Sequence, residues 1–150
     1  MGETFGLHLM LDGYGCDRAK LENEDFIHEF LDVFPENIGM TKLMRPYVSR
    51  YEASDQRHSG LSGFVLIAES HVSIHTFPWK GYVSIDVFSC KSFDVKAAER
   101  EIVRMFGIKS IEKNIFERGV EYPEDYALAR RIVRTERDQR ELRVIGLEYA

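Results

Sequence analysis

Residues 67–77 combine the alternation of a half-buried β-strand with side chains that can do chemistry. Ser70 lies between Glu69 and His71, and a second histidine, His75, follows on the same stretch. A serine activated by a neighbouring base is a nucleophile, and the electrophile nearest to Ser70 is the carbonyl group of its own preceding peptide. The residues alone leave two interpretations: the polar face of an amphipathic strand, or a serine that attacks the backbone at Glu69.

The second interpretation predicts a specific product. After attack on the Glu69 carbonyl, the acyl group moves from nitrogen to oxygen, and elimination of the ester cuts the chain. A pyruvoyl group then replaces Ser70 at the new N-terminus. Such a carbonyl forms a Schiff base with an amine substrate and draws electrons from it during decarboxylation. The expected reaction is therefore the decarboxylation of a small, amino-acid-type substrate.

Composition narrows the class of protein. The chain has 150 residues, 44% of them apolar and 30% charged, with a net charge of −5. These values fit a single globular domain over residues 1–150 and argue against a nucleic-acid partner. No apolar run approaches the roughly 18 residues of a membrane span, and residues 1–4 lack the features of a signal peptide. We expect a cytoplasmic protein without a membrane partner.

The cysteines and histidines indicate neither a disulfide framework nor a metal site. Cys16 and Cys90 are the two cysteines, and both remain thiols in a reducing compartment. Cys16 lies in a turn-rich segment, which favours a small turn or packing residue. The five histidines and two cysteines have no ligand spacing of a known kind, so we expect no metal.

Hydrophobic periodicity predicts an α+β fold, a two-layer α/β sandwich with an antiparallel sheet and helices on one face. Asp17 is a plausible N-cap for a first helix that Pro35 and Gly39 end, and Asp94 and Gly107 bound a second. Residues 42–51 can be extended, and residues 52–60 read as a polar loop. The predicted strands are residues 4–11, 63–69, 71–77, 82–90 and 109–116, and the predicted helices are residues 17–34 and 94–107.

A tight turn at Pro78–Gly81 would fix the pairing of the two strands beside it. If Phe77 faces Tyr82, then Glu69 faces Cys90, and the thiol lies beside the predicted cleavage point. Residues 124–150 form a helix-prone extension rich in arginine, with acidic residues interleaved. This mixture favours a solvated helix face over an anionic-ligand site.

The motif is longer than a serine and a histidine. Residues 69–78, followed by Gly81-Tyr82 and residues 86–90, and preceded by residues 60–63, resemble the prokaryotic S-adenosylmethionine decarboxylase family. The resemblance extends over roughly residues 5–123. It implies a self-cleaving proenzyme that converts S-adenosylmethionine to decarboxylated S-adenosylmethionine for spermidine biosynthesis, a polyamine pathway.

The resemblance also implies roles for individual residues. Cleavage between Glu69 and Ser70 gives a β chain (1–69) and an α chain (70–150), with a covalent pyruvoyl cofactor derived from Ser70. Ser62 and His75 assist this processing. Cys90 is the proton donor to the substrate α-carbon. The catalytic set is thus Ser70, His75 and Cys90.

Spacing adds an independent argument about assembly. Five residues of extended strand separate Ser70 from His75 by ~16 Å at ~3.3 Å each, far beyond hydrogen-bond reach. Ser62 and His75 therefore most simply come from a second copy of the chain. This agrees with the homodimer that the resemblance implies, in which active sites are shared across the interface.

Two substrate-binding positions depart from the family pattern, and the usual glycine after the catalytic cysteine is replaced by Lys91. The family's Trp-Pro-Glu, whose glutamate binds the ribose hydroxyls, is replaced by Phe77-Pro78-Trp79. Gln56 occupies the position of an aromatic residue that stacks on adenine, although Tyr51 or Tyr47 can substitute for it. The candidate substrate-binding residues are therefore Phe77, Trp79 and Gln56.

Three hypotheses follow. The first is the S-adenosylmethionine decarboxylase itself. The second is a pyruvoyl-dependent decarboxylase of L-arginine or L-ornithine, whose distal cation would bind Asp55, Glu52 or Asp12. The third is an inactive homologue with a regulatory role, which would remain an uncleaved chain.

Overall fold

The computed structural model describes residues 5–119 and Arg131, and the segment from Phe5 to Arg118 is one compact unit. It contains three α-helices and six strands, with short 3-10 turns at Gln56–His58 and Pro78–Lys80. The strands are β1 (Gly6–Tyr14), β2 (Tyr47–Tyr51), β3 (Gly60–Ile67), β4 (Ser70–Phe77), β5 (Tyr82–Ser89) and β6 (Ser110–Arg118). The helices are α1 (Arg18–Glu22), α2 (Glu24–Asn37) and α3 (Val95–Phe106).

The six strands form one antiparallel sheet in the order β2-β3-β4-β5-β1-β6. Alternate side chains of the central strands are buried against the helices, as period-two patterning requires. The predicted α+β sandwich is confirmed. The core includes Leu9, Leu11, Val65, Val72, Ile74, Ile85 and Val87 from the strands and Ile27, Phe30, Phe34, Ile102 and Phe106 from the helices.

The sheet face that no described helix covers is called the open face below. Its side chains are half-buried or exposed and follow one another across neighbouring strands. One such row runs Leu66, His71, Phe88, His8 and Phe116, because these residues are paired in the strand register. The open face therefore combines aromatic, apolar and titratable groups.

The first predicted helix is wrong in two respects. Asn23 has an extended backbone and its side chain accepts a hydrogen bond from the Phe26 N–H, so it ends α1 and caps α2. Pro35 does not end α2, which continues to Asn37. Because proline has no N–H, α2 loses only one hydrogen-bond donor at Pro35. The Pro35 carbonyl accepts a hydrogen bond from the Met40 N–H at 2.8 Å.

The predicted ends of α3 are confirmed. The Asp94 side chain accepts from the Ala97 N–H, and Gly107 has the left-handed φ of 60° that follows many helices. The predicted hairpin register is also confirmed, since Phe77 pairs with Tyr82. Gly81 permits the turn with φ of 58°.

Several strand boundaries differ from the prediction. The β1 strand reaches Tyr14 because it pairs with β5 as far as Gly13 and with β6 as far as Tyr14. The β3 strand begins at Gly60 because it pairs with β2 from that point. The single domain over residues 1–150 stays a prediction, and the predicted helical extension at 124–150 lies outside the described residues apart from Arg131, which is helical. None of the described helices has the length and hydropathy of a membrane span.

Candidate active site

The peptide between Glu69 and Ser70 lies in the tight turn that joins β3 to β4, where Ile67 pairs with Ser70. Its carbonyl oxygen accepts a hydrogen bond from the Cys90 N–H at 2.8 Å. The Glu69 carboxylate accepts from the Thr41 N–H at 3.2 Å, and the Ala68 N–H donates to the Thr41 carbonyl at 2.8 Å. The turn is thus held from two sides, and the predicted proximity of Glu69 and Cys90 is confirmed.

Ser70 has an unusual backbone conformation. Its φ of +153° is the only positive value at a non-glycine residue in the described part of the chain. A side chain in such a region costs on the order of 1–3 kcal/mol and persists only when its surroundings enforce it. The strain is therefore located at the peptide bond for which the sequence predicts cleavage.

The two cysteines differ sharply in environment. Cys90 is exposed just after β5, and Cys16 is buried, with its thiol pKa raised to about 11 by burial. The chain after Cys90 is fixed by Ser89, whose buried hydroxyl donates to the Lys91 carbonyl at 2.7 Å and accepts from the Lys91 N–H at 2.9 Å. Cys90 is therefore the thiol available for chemistry.

Ser62 and His75 form a hydrogen-bonded pair within one chain. The Ser62 Oγ and His75 Nδ1 atoms are 2.8 Å apart, because β3 and β4 align these two residues on the open face. Thr76 holds the strands in place behind them. Its buried hydroxyl accepts from the Leu61 N–H at 3.0 Å and donates to the Leu21 carbonyl at 2.9 Å.

The predicted residues thus fall into two groups. Glu69, Ser70 and Cys90 meet at one end of β4, whereas Ser62 and His75 meet nearer its other end. Since five residues of strand span ~16 Å, the groups do not touch within one chain. Sequence reasoning assigned Ser62 and His75 to the same side of a shared site, but it did not find their hydrogen bond.

A cavity of about 520 Å³ lies where β2 ends, β3 begins and β4 leads into the turn at Pro78–Lys80. Its walls come from α1, β2, the following loop and the 3-10 turn after β4. Gly60 forms part of the wall, and a Cβ atom there would lie 1.8 Å from the Thr76 carbonyl oxygen, so only glycine fits. The polar and aromatic side chains that line the cavity include Arg18, Glu22, Tyr51, Glu52, Gln56 and Trp79.

Trp79 and Gln56 line this cavity as the sequence hypothesis requires, but Phe77 does not. Phe77 instead packs against Tyr82, with ring centroids 5.5 Å apart. Of the two tyrosines considered as replacements for the expected aromatic residue, Tyr51 lines the cavity. Tyr47 instead packs against Phe64, with ring centroids 5.9 Å apart.

The three carboxylates considered as partners of a substrate's distal cation have different surroundings. Asp12 accepts a hydrogen bond from the Tyr82 hydroxyl at 2.6 Å, and Asp55 accepts from Arg57, whose hydrogen bonds lower the Asp55 pKa. Glu52 is the candidate that lines the cavity. Arg18 also lines it and was missed, because no sequence spacing links α1 to a turn some sixty residues later.

His8 is a second residue that the sequence did not single out. It lies on the open face between Phe88 and Asp86, and its Nε2 atom is buried without a hydrogen-bond partner among the described residues. Burial lowers the His8 pKa, although Asp86 opposes the shift. Alternation along β1 would have placed His8 on the same face as His71. Within the described residues, no cluster of His, Cys, Asp and Glu could hold a metal ion.

Comparison with known proteins identifies the family to which this chain belongs. The family described as S-adenosylmethionine decarboxylase matches residues 7–119. The chain belongs to the S-adenosylmethionine decarboxylase family. An S-adenosylmethionine decarboxylase proenzyme of Aquifex aeolicus is 37% identical over 123 residues, covering 80% of this chain and 85% of the relative. The corresponding proenzyme of Geobacillus kaustophilus is 36% identical over 119 residues, covering 79% and 90%.

A solved structure of this family has the same fold. The adenosylmethionine decarboxylase of Aquifex aeolicus superposes with a TM-score of 0.68 at 31% identity, covering 83% of this chain and 98% of the other. Residues 7–119, which the family matches, contain both groups of site residues and the cavity. The family predicted from residues 60–90 is therefore confirmed, and the departures at Gln56 and Trp79 are features of a true member that lie together in one cavity.

Proposed function

We propose that this chain is a self-processing, pyruvoyl-dependent carboxy-lyase that converts S-adenosylmethionine to decarboxylated S-adenosylmethionine in the cytoplasm, as the aminopropyl donor for spermidine. The observation that carries the proposal is the strained Ser70 at a peptide bond held beside Cys90. Family membership supports the reaction class. The names of the relatives support the substrate.

Processing begins with Ser70. Its hydroxyl is the nucleophile, and the strain of its backbone is released when the acyl group of Glu69 moves to oxygen. The Cys90 N–H, already 2.8 Å from the Glu69 carbonyl oxygen, stabilises the negative charge that develops there. Removal of the residue-70 α-proton then expels the Glu69 carboxylate, which yields a chain of residues 1–69 and a chain of residues 70–150 that begins with dehydroalanine. Hydrolysis of the dehydroalanine by water releases ammonia and gives the pyruvoyl group.

The surroundings of Ser70 fit a pyruvoyl group. Ser70 is half-buried at the start of β4 and pairs with Ser89, the residue before the exposed Cys90. The group supplies an electrophilic carbonyl that binds the substrate amine and accepts electrons as CO₂ departs. The role of Cys90 is then to donate a proton to the substrate α-carbon, as general acids do.

The complete site requires two copies of the chain. Ser62 and His75 assist processing, yet ~16 Å of strand separates His75 from Ser70. A two-fold homodimer that packs the open faces together brings Ser62 and His75 of one copy to Ser70 and Cys90 of the other. The exposed Phe64, Leu66 and Phe116 side chains of the open face support this interface.

Mass spectrometry and CO₂ release test the proposal together. Wild-type protein should give two fragments in place of the intact 17.4 kDa chain and should release CO₂ from S-adenosylmethionine, but not from L-arginine or L-ornithine. Ser70→Ala should remain intact and inactive, whereas Ser73→Ala, a matched change on the same strand, should be cleaved. An uncleaved wild-type chain would point to an inactive homologue. Activity on L-arginine or L-ornithine alone would refute the proposed substrate.

A further inference from the structure

We propose that the open faces of two copies pack through complementary charges, with His8 and Arg118 of one copy opposite Asp12 and Glu112 of the partner subunit. This inference rests on the proposed function and specifies the contacts that hold the two halves of its shared site together. It arises from a difference in charge between the two ends of the open face on β1, β5 and β6.

Three rows of side chains cross the open face, two residues or ~7 Å apart along each strand. The first row is the one that contains His71 and His8. The middle row runs Phe64, Ser73, Asp86, Met10 and Asn114, and the third row runs Ser62, His75, Ser84, Asp12 and Glu112. Each of the two active-site groups therefore lies at a different end of the open face.

Arg118 brings a positive charge to the first row. Its guanidinium lies over the Phe88 ring, 4.1 Å from the ring centroid. A guanidinium in this position is held by a cation–π contact and keeps its donors free for a carboxylate. Arg118 has no ion pair with a carboxylate in the part of the chain that the structure describes.

His8 adds a donor that lacks an acceptor. Its Nε2 atom is buried without a hydrogen-bond partner among the described residues, although buried polar atoms are normally paired. The nearest carboxylate oxygen, Asp86 Oδ1, is 3.9 Å away and too far for a hydrogen bond. An acceptor from a second copy would satisfy this atom.

The third row carries the matching negative charges. Asp12 accepts a hydrogen bond from the Tyr82 hydroxyl at 2.6 Å, and Glu112 accepts from the Tyr14 hydroxyl at 3.3 Å. Neither carboxylate has an ion pair with a cation among residues 5–119. Each has two oxygens and can accept further hydrogen bonds from His8 or Arg118 of a partner.

The symmetry of the proposed dimer places these groups opposite each other. An axis parallel to the strands would set each row over its own copy, so His75 would not reach Ser70 of the partner subunit. An axis across the strands reverses their direction and keeps each strand opposite its own copy. The first row then faces the third row of the partner, and His8 lies opposite the partner's Asp12.

The middle row lies at this axis and contains a like-charge contact. Asp86 of one copy approaches Asp86 of the partner subunit, and each carboxylate has the imidazole of His8 in its own chain 3.9 Å away. Neighbouring carboxylates favour the protonated form of a histidine, so His8 can offset this repulsion. The cationic and anionic ends meet twice in the dimer, once on each side of the axis.

Two oppositely changed chains test the pairing. In the Ser70→Ala background, which keeps each chain intact, sedimentation velocity measures the dimer Kd of Arg118→Glu and of Glu112→Arg. Each change sets like charges opposite each other at two symmetry-related contacts, so each should raise the Kd at least about tenfold at low ionic strength. In an equimolar mixture the heterodimer restores opposite charges at both contacts, and its Kd should be at least about fivefold lower than that of either variant alone.

Glu117→Arg is the matched control. It makes the same change of charge as Glu112→Arg at another exposed position of β6, but alternation along the strand puts its side chain on the opposite face of the sheet. Its Kd should stay within about twofold of the parent value. A tight heterodimer also shows that both variant chains are folded.

The outcomes separate this inference from the proposed function. A Kd that Arg118→Glu leaves unchanged, or a mixture without preference for the heterodimer, overturns the inference even if the wild type decarboxylates S-adenosylmethionine. An equal effect of Glu117→Arg also overturns it, because net charge alone would then explain the weakening. A restored heterodimer in a protein whose wild type releases no CO₂ overturns the proposed function and leaves the interface intact.

Discussion

Co-expression of two inactive variants tests the division of the site between two chains. Ser70→Ala removes the nucleophile from one end of β4, and His75→Ala removes the histidine near the other end. Each homodimer lacks one residue at both of its sites, so neither is expected to decarboxylate S-adenosylmethionine. Different affinity tags on the two chains allow the heterodimer to be purified free of both homodimers.

The expected magnitude follows from the geometry. A span of ~16 Å keeps His75 away from Ser70 of its own chain, so in the proposed dimer each site takes these residues from different copies. In the heterodimer, one site has both residues and the other has neither. About half of the wild-type activity per dimer should return, because a two-fold dimer has two equivalent sites. The His75→Ala chain should be cleaved and the Ser70→Ala chain should stay intact.

A second heterodimer serves as the control and should be inactive. A chain that carries both substitutions, paired with a wild-type chain, leaves each shared site with one missing residue and should be inactive. If sites were formed within single chains, this control would keep half of the activity and the first heterodimer would have none. That result, read by intact mass and CO₂ release, would exclude a site shared between two chains.

Three further predictions concern single residues. Thr76→Val leaves the Leu61 N–H and the Leu21 carbonyl without the Thr76 hydroxyl as a partner, so it should lower the free energy of unfolding by about 2–4 kcal/mol. Urea titration in the Ser70→Ala background measures this, and a loss below about 0.5 kcal/mol would contradict it. Alkylation at pH 8 should label Cys90 but not Cys16, since a pKa of about 11 leaves roughly one thiol in a thousand ionised; mass spectrometry of labelled peptides checks it. Asn23→Ala should cost about 1 kcal/mol of stability through loss of the α2 cap, and an unchanged urea midpoint would count against that cap.

Features that depend on near neighbours in sequence were predicted well. Asp94 and Gly107 bound α3 because caps act over three or four residues, and the turn at residues 78–81 set the pairing of Phe77 with Tyr82. The break at Asn23 was missed because apolar residues keep a helical spacing across it. Pro35 was taken as a terminator, but its buried position in the core outweighs the single missing donor.

The Ser62–His75 contact shows where local reasoning ends. A register shift of one residue moves a side chain to the other face of a sheet. The predicted strands ended at residue 69 and began again at residue 71, and this left the turn between them unspecified. The structure places Ala68 and Glu69 in that turn, and this choice aligns Ser62 with His75 on the open face.

The family and the fold class could be predicted from the amino-acid sequence, because residues 60–90 carry a long motif and the apolar residues recur with strand and helix periods. Which functional groups meet depends on the tertiary structure. The strain at Ser70 is enforced by hydrogen bonds from residues 41 and 90 around the turn, and the cavity joins Arg18, Glu52 and Trp79 from three distant segments. Contacts between distant segments depend on strand register and packing, which no local pattern encodes.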